Sequence, residues 1–238
     1  MHTNFTQMAA AAIVAVAQLV SLPADAETSE VRELAAFDAI EVSGAVELVL
    51  RLGSELRVEV SSDGADLANL VTEVVRGTLR IRQEPRERRV FGFGGSDDYV
   101  VDVTLPELRA LDASGGTDVR VDGAISGERL AVDASGAADV TLTVDVTDLE
   151  VNISGGSDLT LTGYANRLEV HSSGGSDLAA GRLAAASANV RSSGGSDVML
   201  QVTERLVARA SGGSDVVYRG DPPQVDVHES GGADIKRR

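Results

Sequence analysis

Seven aspartates recur at near-constant spacing through the C-terminal half of this 238-residue chain: Asp118, Asp139, Asp158, Asp177, Asp197, Asp215 and Asp234. Each closes a short phrase, Ser-Gly-small-small-Asp, and each is followed by an apolar residue. The phrases begin at Ser114, Ser135, Ser154, Ser173, Ser193, Ser211 and Ser230, at intervals of 18–21 residues. Evenly spaced carboxylates suit a hard cation, and a row of weak Ca²⁺ sites is the metal chemistry they offer. The other account is structural: each carboxylate accepts hydrogen bonds from Gly and Ser N–H groups or Ser hydroxyls at its own turn. Either way the row carries a cost. Two like charges ~5 Å apart repel by about 0.8 kcal/mol in water and about 3 kcal/mol at an effective dielectric of 20.

The calcium reading has a partial precedent in the nonapeptide G-G-x-G-x-D. In Gly155-Gly156-Ser157-Asp158 the Asp falls two positions early, and the nine-residue period is absent. Other chemistry is thinner. His171 and His228 share one row but are three repeats apart, about 14 Å at strand spacing, too far to share a metal or a proton. Ser, His and Asp are all present, yet the serines sit in a repeated turn and not on a nucleophile elbow. Asp residues on one face could imitate the paired carboxylates of a polysaccharide-cleaving enzyme. A catalytic site is a singular feature, however, and here the same residues recur seven times, which favours structure over catalysis. No glycine-rich loop joins a strand to a helix, so no nucleotide site is indicated.

The elements that must position these residues follow from the same rows. Three before each Ser stand Leu111, Val132, Val151, Val170, Val190, Ala208 and Val227. Five after each stand Val119, Val140, Leu159, Leu178, Val198, Val216 and Ile235. Two before each stand the polar residues Asp112, Asp133, Asn152, His171, Arg191, Arg209 and His228. Each repeat therefore reads strand, tight Gly turn, strand, with one face in and one face out. The fold class is all-β, a β-solenoid of ~19-residue coils whose equal positions form ladders at ~4.8 Å, seven coils spanning about 34 Å. The alternative is an antiparallel meander, which would place alternate turns at opposite ends.

Upstream, residues 27–106 alternate without the tight repeat. Period-two stretches at 37–42, 46–52, 56–60, 78–82 and 99–105 predict strands. Residues 66–73 predict the region's one helical turn. Residues 86–98, charged and Gly-rich, read as a hairpin or coil insertion. Residues 8–20 are apolar but too short to span a bilayer, and Ala24-Asp25-Ala26 supplies a cleavage pattern, so 1–26 reads as an export signal. The expected organisation is that signal followed by a single solenoid domain, 27–238, with seven regular coils at 107–238. No later stretch is long and apolar enough to cross a membrane. A net charge of −16 argues against nucleic acid as a partner. The absence of Cys excludes disulfides and thiolate metal sites.

The stretch Phe37-Asp38-Ala39-Ile40-Glu41-Val42-Ser43-Gly44-Ala45-Val46-Glu47-Leu48 resembles the start of the head GIN domain of auto-transporter adhesins. So do the Gly53 turn, the Leu79-Arg80-Ile81 strand and the run from Val101 to Leu111 into Ser114-Gly115-Gly116. The resemblance covers roughly 31–235. It implies a right-handed parallel β-helix exported to a bacterial envelope, either periplasmic or at the cell surface. The expected function is a non-enzymatic adhesin or envelope binding module whose partner is an envelope or extracellular protein or glycan. The competing functions are the polysaccharide-active enzyme and a Ca²⁺-stabilised structural element. The outward row also runs from Asp112 and Asp133 to Arg191 and Arg209, a gradient suited to self-association along the coil face.

Overall fold

A strand with one apolar face must bury that face against another layer. The computed structural model describes residues 28–84 and 99–238, and there the chain meets this demand by winding. The expected leader, 1–26, and the charged stretch 86–98 lie outside the described residues.

The N-terminal part contains β1 (Thr28–Arg32), β2 (Ala39–Ser43), β3 (Val46–Leu52) and β4 (Arg57–Ser62). β5 (Leu70–Val75), β6 (Thr78–Gln83) and β7 (Tyr99–Leu105) follow. The regular stack begins with β8 (Ala110–Gly115) and β9 (Asp118–Asp122), then β10 (Ile125–Gly136). β11 (Asp139–Ile153), β12 (Asp158–Ser172), β13 (Asp177–Gly194) and β14 (Asp197–Gly212) each run from one glycine corner to the next. β15 (Asp215–Arg219), β16 (Gln224–Gly231) and β17 (Asp234–Arg237) complete it.

All pairings among β8–β17 are parallel. The meander is therefore excluded, and the fold is a β-solenoid of stacked parallel coils. Val132 pairs with Leu111 on one side and Val151 on the other, and the column continues through Val170, Val190 and Ala208 to Val227. From Leu111 to Ala208 every member is buried. A second buried column runs Val119, Val140, Leu159, Leu178, Val198, Val216. A third runs from Leu130 through Leu149, Leu168 and Ala188 to Leu206. Each fully buried Val or Leu contributes roughly 1.5–3 kcal/mol, so this aliphatic core holds the stack with few aromatic side chains. Coils of unequal length are reconciled by register shifts at Thr160/Thr162 and Ala180/Ala184, which absorb extra residues without disturbing the corners.

The stack has one more corner than the repeated phrase displays. Ser43 pairs with Ser114, Glu47 with Asp118 and Leu48 with Val119, so β2 and β3 form a coil beneath β8 and β9. Beyond this coil, β6 adds parallel to β2 and β7 parallel to β3. The antiparallel partners β5, β4 and β1 then cover that end. The expected helical turn at 66–73 is reduced to a 3-10 turn, Leu67–Asn69, capped by the Asp66 side chain accepting from the Ala68 N–H. Leu70 already belongs to β5, whose β-branched Val71, Thr72, Val74 and Val75 favour the strand paired with β6.

Candidate functional site

The corner is built from glycine upward. The first glycine of each phrase, Gly115 to Gly231, has φ between 73° and 84°, the left-handed region open to Gly at no steric cost. The next residue's N–H donates to the preceding coil's glycine carbonyl, as from Gly175 to Gly155 at 2.8 Å. The fourth residue of the phrase then turns inward. Ser157, Ser176, Ser196 and Ser214 are wholly buried, and each hydroxyl donates to the carbonyl of the serine that opens its phrase, at 2.9–3.1 Å. Thr117 does the same to Ser114 at 2.7 Å. It is this hydroxyl, and not the neighbouring carboxylate, that closes the turn. The sequence displays these residues only as small members of the phrase; their burial depends on the corner geometry.

The aspartates come next and point outward. Asp118 to Asp234 stack in unbroken register, and Glu47 extends the column below Asp118. Their backbone N–H groups donate to the preceding coil, for example Asp177 to Ser157 at 3.0 Å. The side chains of Asp118 to Asp215 are exposed, and Asp234 bonds Lys236 at 2.6 Å. The expected bonds from corner N–H groups and serine hydroxyls to these carboxylates do not form: the Gly156, Gly175 and Asp177 N–H groups donate to the preceding coil, and the Ser157 and Ser176 hydroxyls donate to the opening serines. Among the described residues, no group of three or more His, Cys, Asp or Glu is arranged to hold a metal ion.

A different set of residues encloses space. The outward row Asp112, Asp133, Asn152, His171, Arg191, Arg209, His228 stacks coil upon coil. Beside it runs the ladder of opening serines, Ser135 to Ser230. Together they line an open groove of about 760 Å³. Row and ladder are neighbours because they lie two positions apart on one strand face. His171 and His228 are three coils apart as expected, with Arg191 and Arg209 between them.

The groove is electrically graded. At one end Glu41, Asp112 and Asp133 occupy consecutive coils. Partial burial, then Asp133 and Glu41, push the Asp112 carboxyl above its ordinary value. Arg80 pairs with Glu41 at 2.9 Å. In the middle, Glu169 accepts from Arg191 at 3.2 Å and lies 3.3 Å from the His171 ring. One coil on, the Arg209 side chain has no hydrogen-bond or ion-pair partner among the described residues. A second, smaller groove of about 500 Å³ differs in kind. Arg129 pairs with Glu150 at 2.8 Å, Arg167 with Asp148 at 2.6 Å, and Arg205 bonds the Gln224 amide at 3.1 Å. Its charges are largely satisfied internally.

Stacked coils with an inner aliphatic column and an outer polar track define a parallel β-solenoid that displays side chains on a regular lattice. The chain belongs to the family described as "Putative auto-transporter adhesin, head GIN domain", which it matches over residues 36–222. It is similar in structure to a "putative adhesin" from Bacteroides fragilis NCTC 9343, with a TM-score of 0.82 and 20% identity, covering 90% of this chain and 97% of that one. A "putative adhesin" from Parabacteroides merdae ATCC 43184 aligns with a TM-score of 0.68 and 17% identity, covering 89% and 96%. A "putative lipid binding protein" from Parabacteroides distasonis ATCC 8503 aligns with a TM-score of 0.65 and 18% identity, covering 88% and 96%. At these identities the likeness is one of fold. No curated protein matches the chain. Among the described residues no helix is long and apolar enough to cross a membrane.

Proposed function

We propose that this protein is an exported, non-enzymatic binding module of the bacterial envelope that engages its ligand along the graded groove. The observation that carries the reading is the groove itself. One wall is a serine hydroxyl repeated from coil to coil, and the other is a polar row that changes from Asp112 and Asp133 at one end to Arg191 and Arg209 at the other. The family's adhesin description supports a surface role. The apolar stretch 8–20 and Ala24-Asp25-Ala26 support export through a cleaved signal. Residence is periplasmic or at the cell surface, with an envelope or extracellular glycan or protein as partner.

The test is to screen the protein, freed of 1–26, on a glycan array and in polysaccharide-hydrolysis assays. Binding without turnover is the expected result. Reproducible cleavage that is lost in Asp112→Asn or Asp133→Asn would replace this reading with an enzymatic one.

A further inference from the structure

The order of charges in the groove selects a class of ligand. The backbone beneath it is committed to the parallel ladders between coils, so an extended peptide lying along the track finds no free strand edge. Its apolar members, Ala134, Ile153 and Ala210, are buried and offer no pocket to anchor an apolar side chain. The groove instead offers one hydroxyl per coil at steps of ~4.8 Å. It also offers cations confined to its C-terminal half. Arg191 is shared with Glu169 at 3.2 Å. Arg209 is not shared: its guanidinium has no partner among the described residues, and Ser211 stands two residues on along the same face. An unpaired guanidinium beside a hydroxyl matches an oxyanion, which it can grip with two parallel N–H donors. Asp112 and Asp133 repel anions from the opposite end.

Resting on the binding-module reading above, we propose that the groove binds a linear acidic glycan. A carboxylate or sulfate substituent sits on Arg209, and sugar hydroxyls bond the serine ladder. The oxyanion is the shared chemistry; uronate and sulfated glycans are its two sources.

Calorimetric titration with polygalacturonate, dextran sulfate, neutral dextran and poly-L-glutamate tests this. The expected result is binding of one or both charged glycans, weakening as salt rises, with no binding of neutral dextran. The two charged arms tell carboxylate from sulfate. Arg209→Ala should weaken binding by at least about tenfold, the scale of one charge-assisted hydrogen bond. Arg182→Ala removes a cation that does not line the groove and should leave affinity unchanged. Unaltered thermal melting of both variants separates lost binding from lost folding. Equal affinity for neutral dextran, or equal losses in the two variants, overturns the proposal and leaves a glycan-binding module. Poly-L-glutamate bound as tightly as the acidic glycans overturns the glycan assignment. If no probe binds, the proposal falls; a blank glycan array alongside brings down the broader reading too.

Discussion

Replacing Gly174 with alanine isolates what holds the coils in register. Gly174 has φ +82°, and an added Cβ would lie 2.8 Å from the Gly155 carbonyl oxygen and 3.0 Å from its nitrogen. That carbonyl cannot yield freely, because it accepts the Gly175 N–H at 2.8 Å. The left-handed backbone costs alanine about 1–2 kcal/mol. Crowding into packed backbone adds about 1–3 kcal/mol. The lost freedom of the unfolded chain returns about 0.4–1 kcal/mol. The net loss is about 1–4.5 kcal/mol. Gly64 supplies the control, since it has φ +79° with nothing within 4 Å of its added Cβ. Gly64→Ala carries the backbone cost alone and should lose about 0–1.5 kcal/mol. Urea unfolding of both variants measures the difference. Hydrogen exchange at the Gly175 and Asp177 amides, which bond the coil below, shows whether the loss is centred on that corner. Equal destabilisation of the two variants would refute the reasoning, because stacking would then add nothing to the glycine requirement.

Ser176→Ala should cost about 1–2 kcal/mol, read as a lower urea midpoint, because a buried hydroxyl bonded to Ser173 at 3.0 Å and Ser172 at 3.0 Å is lost. The fold should survive, since Ala138 fills the same position naturally. Asp177→Asn should stabilise by about 0.5–1 kcal/mol at low salt, with the gain fading in 1 M salt, since its neighbours in register are Asp158 and Asp197. In the same assay, an unchanged midpoint between EDTA and millimolar Ca²⁺ removes the calcium reading of the Asp118–Asp234 column, and a calcium-dependent rise lost in Asp177→Asn supports it. Asp112→Asn should raise the melting temperature at pH 7. The raised folded-state value of Asp112 means its folded form holds a proton more tightly than its unfolded form. Its contribution is therefore most favourable below the unfolded carboxylate range and declines as pH rises through that range toward the folded value. The variant's advantage should vanish near pH 3 and grow toward neutrality; a constant difference across that range would count against the shift.

Much of the scaffold is legible in the sequence, because a solenoid repeats its evidence. The rows around each Ser keep apolar and polar positions in phase, and Val132, Val151 and Val170 stack as those rows require. The corner at Ser43 is harder to see. It carries Glu47 where the later copies have Asp, and β4–β7 separate it from the coil on which it stacks. Alternation likewise marks β4 and β7 as one-sided strands but says nothing of partner or direction, and their antiparallel pairing rests on tertiary packing. The groove is partly legible: the polar row and its gradient are plain in sequence. That the opening serines form its second wall is not, because the Gly corner decides which of two nearby serines faces out. Ser176 is buried and closes the turn, while Ser173 faces the groove.

A track of identical rungs would hold a polymer equally well at every offset, and the polymer could step along it one rung at a time. The unlike residues from Asp133 through Asn152 and His171 to Arg209 remove that freedom for a polymer charged at only some of its units, since neighbouring offsets then set its charges against different side chains. The solenoid thus combines a uniform ruler with a non-uniform label. Such a sparsely charged chain would be held at one position and with one end leading.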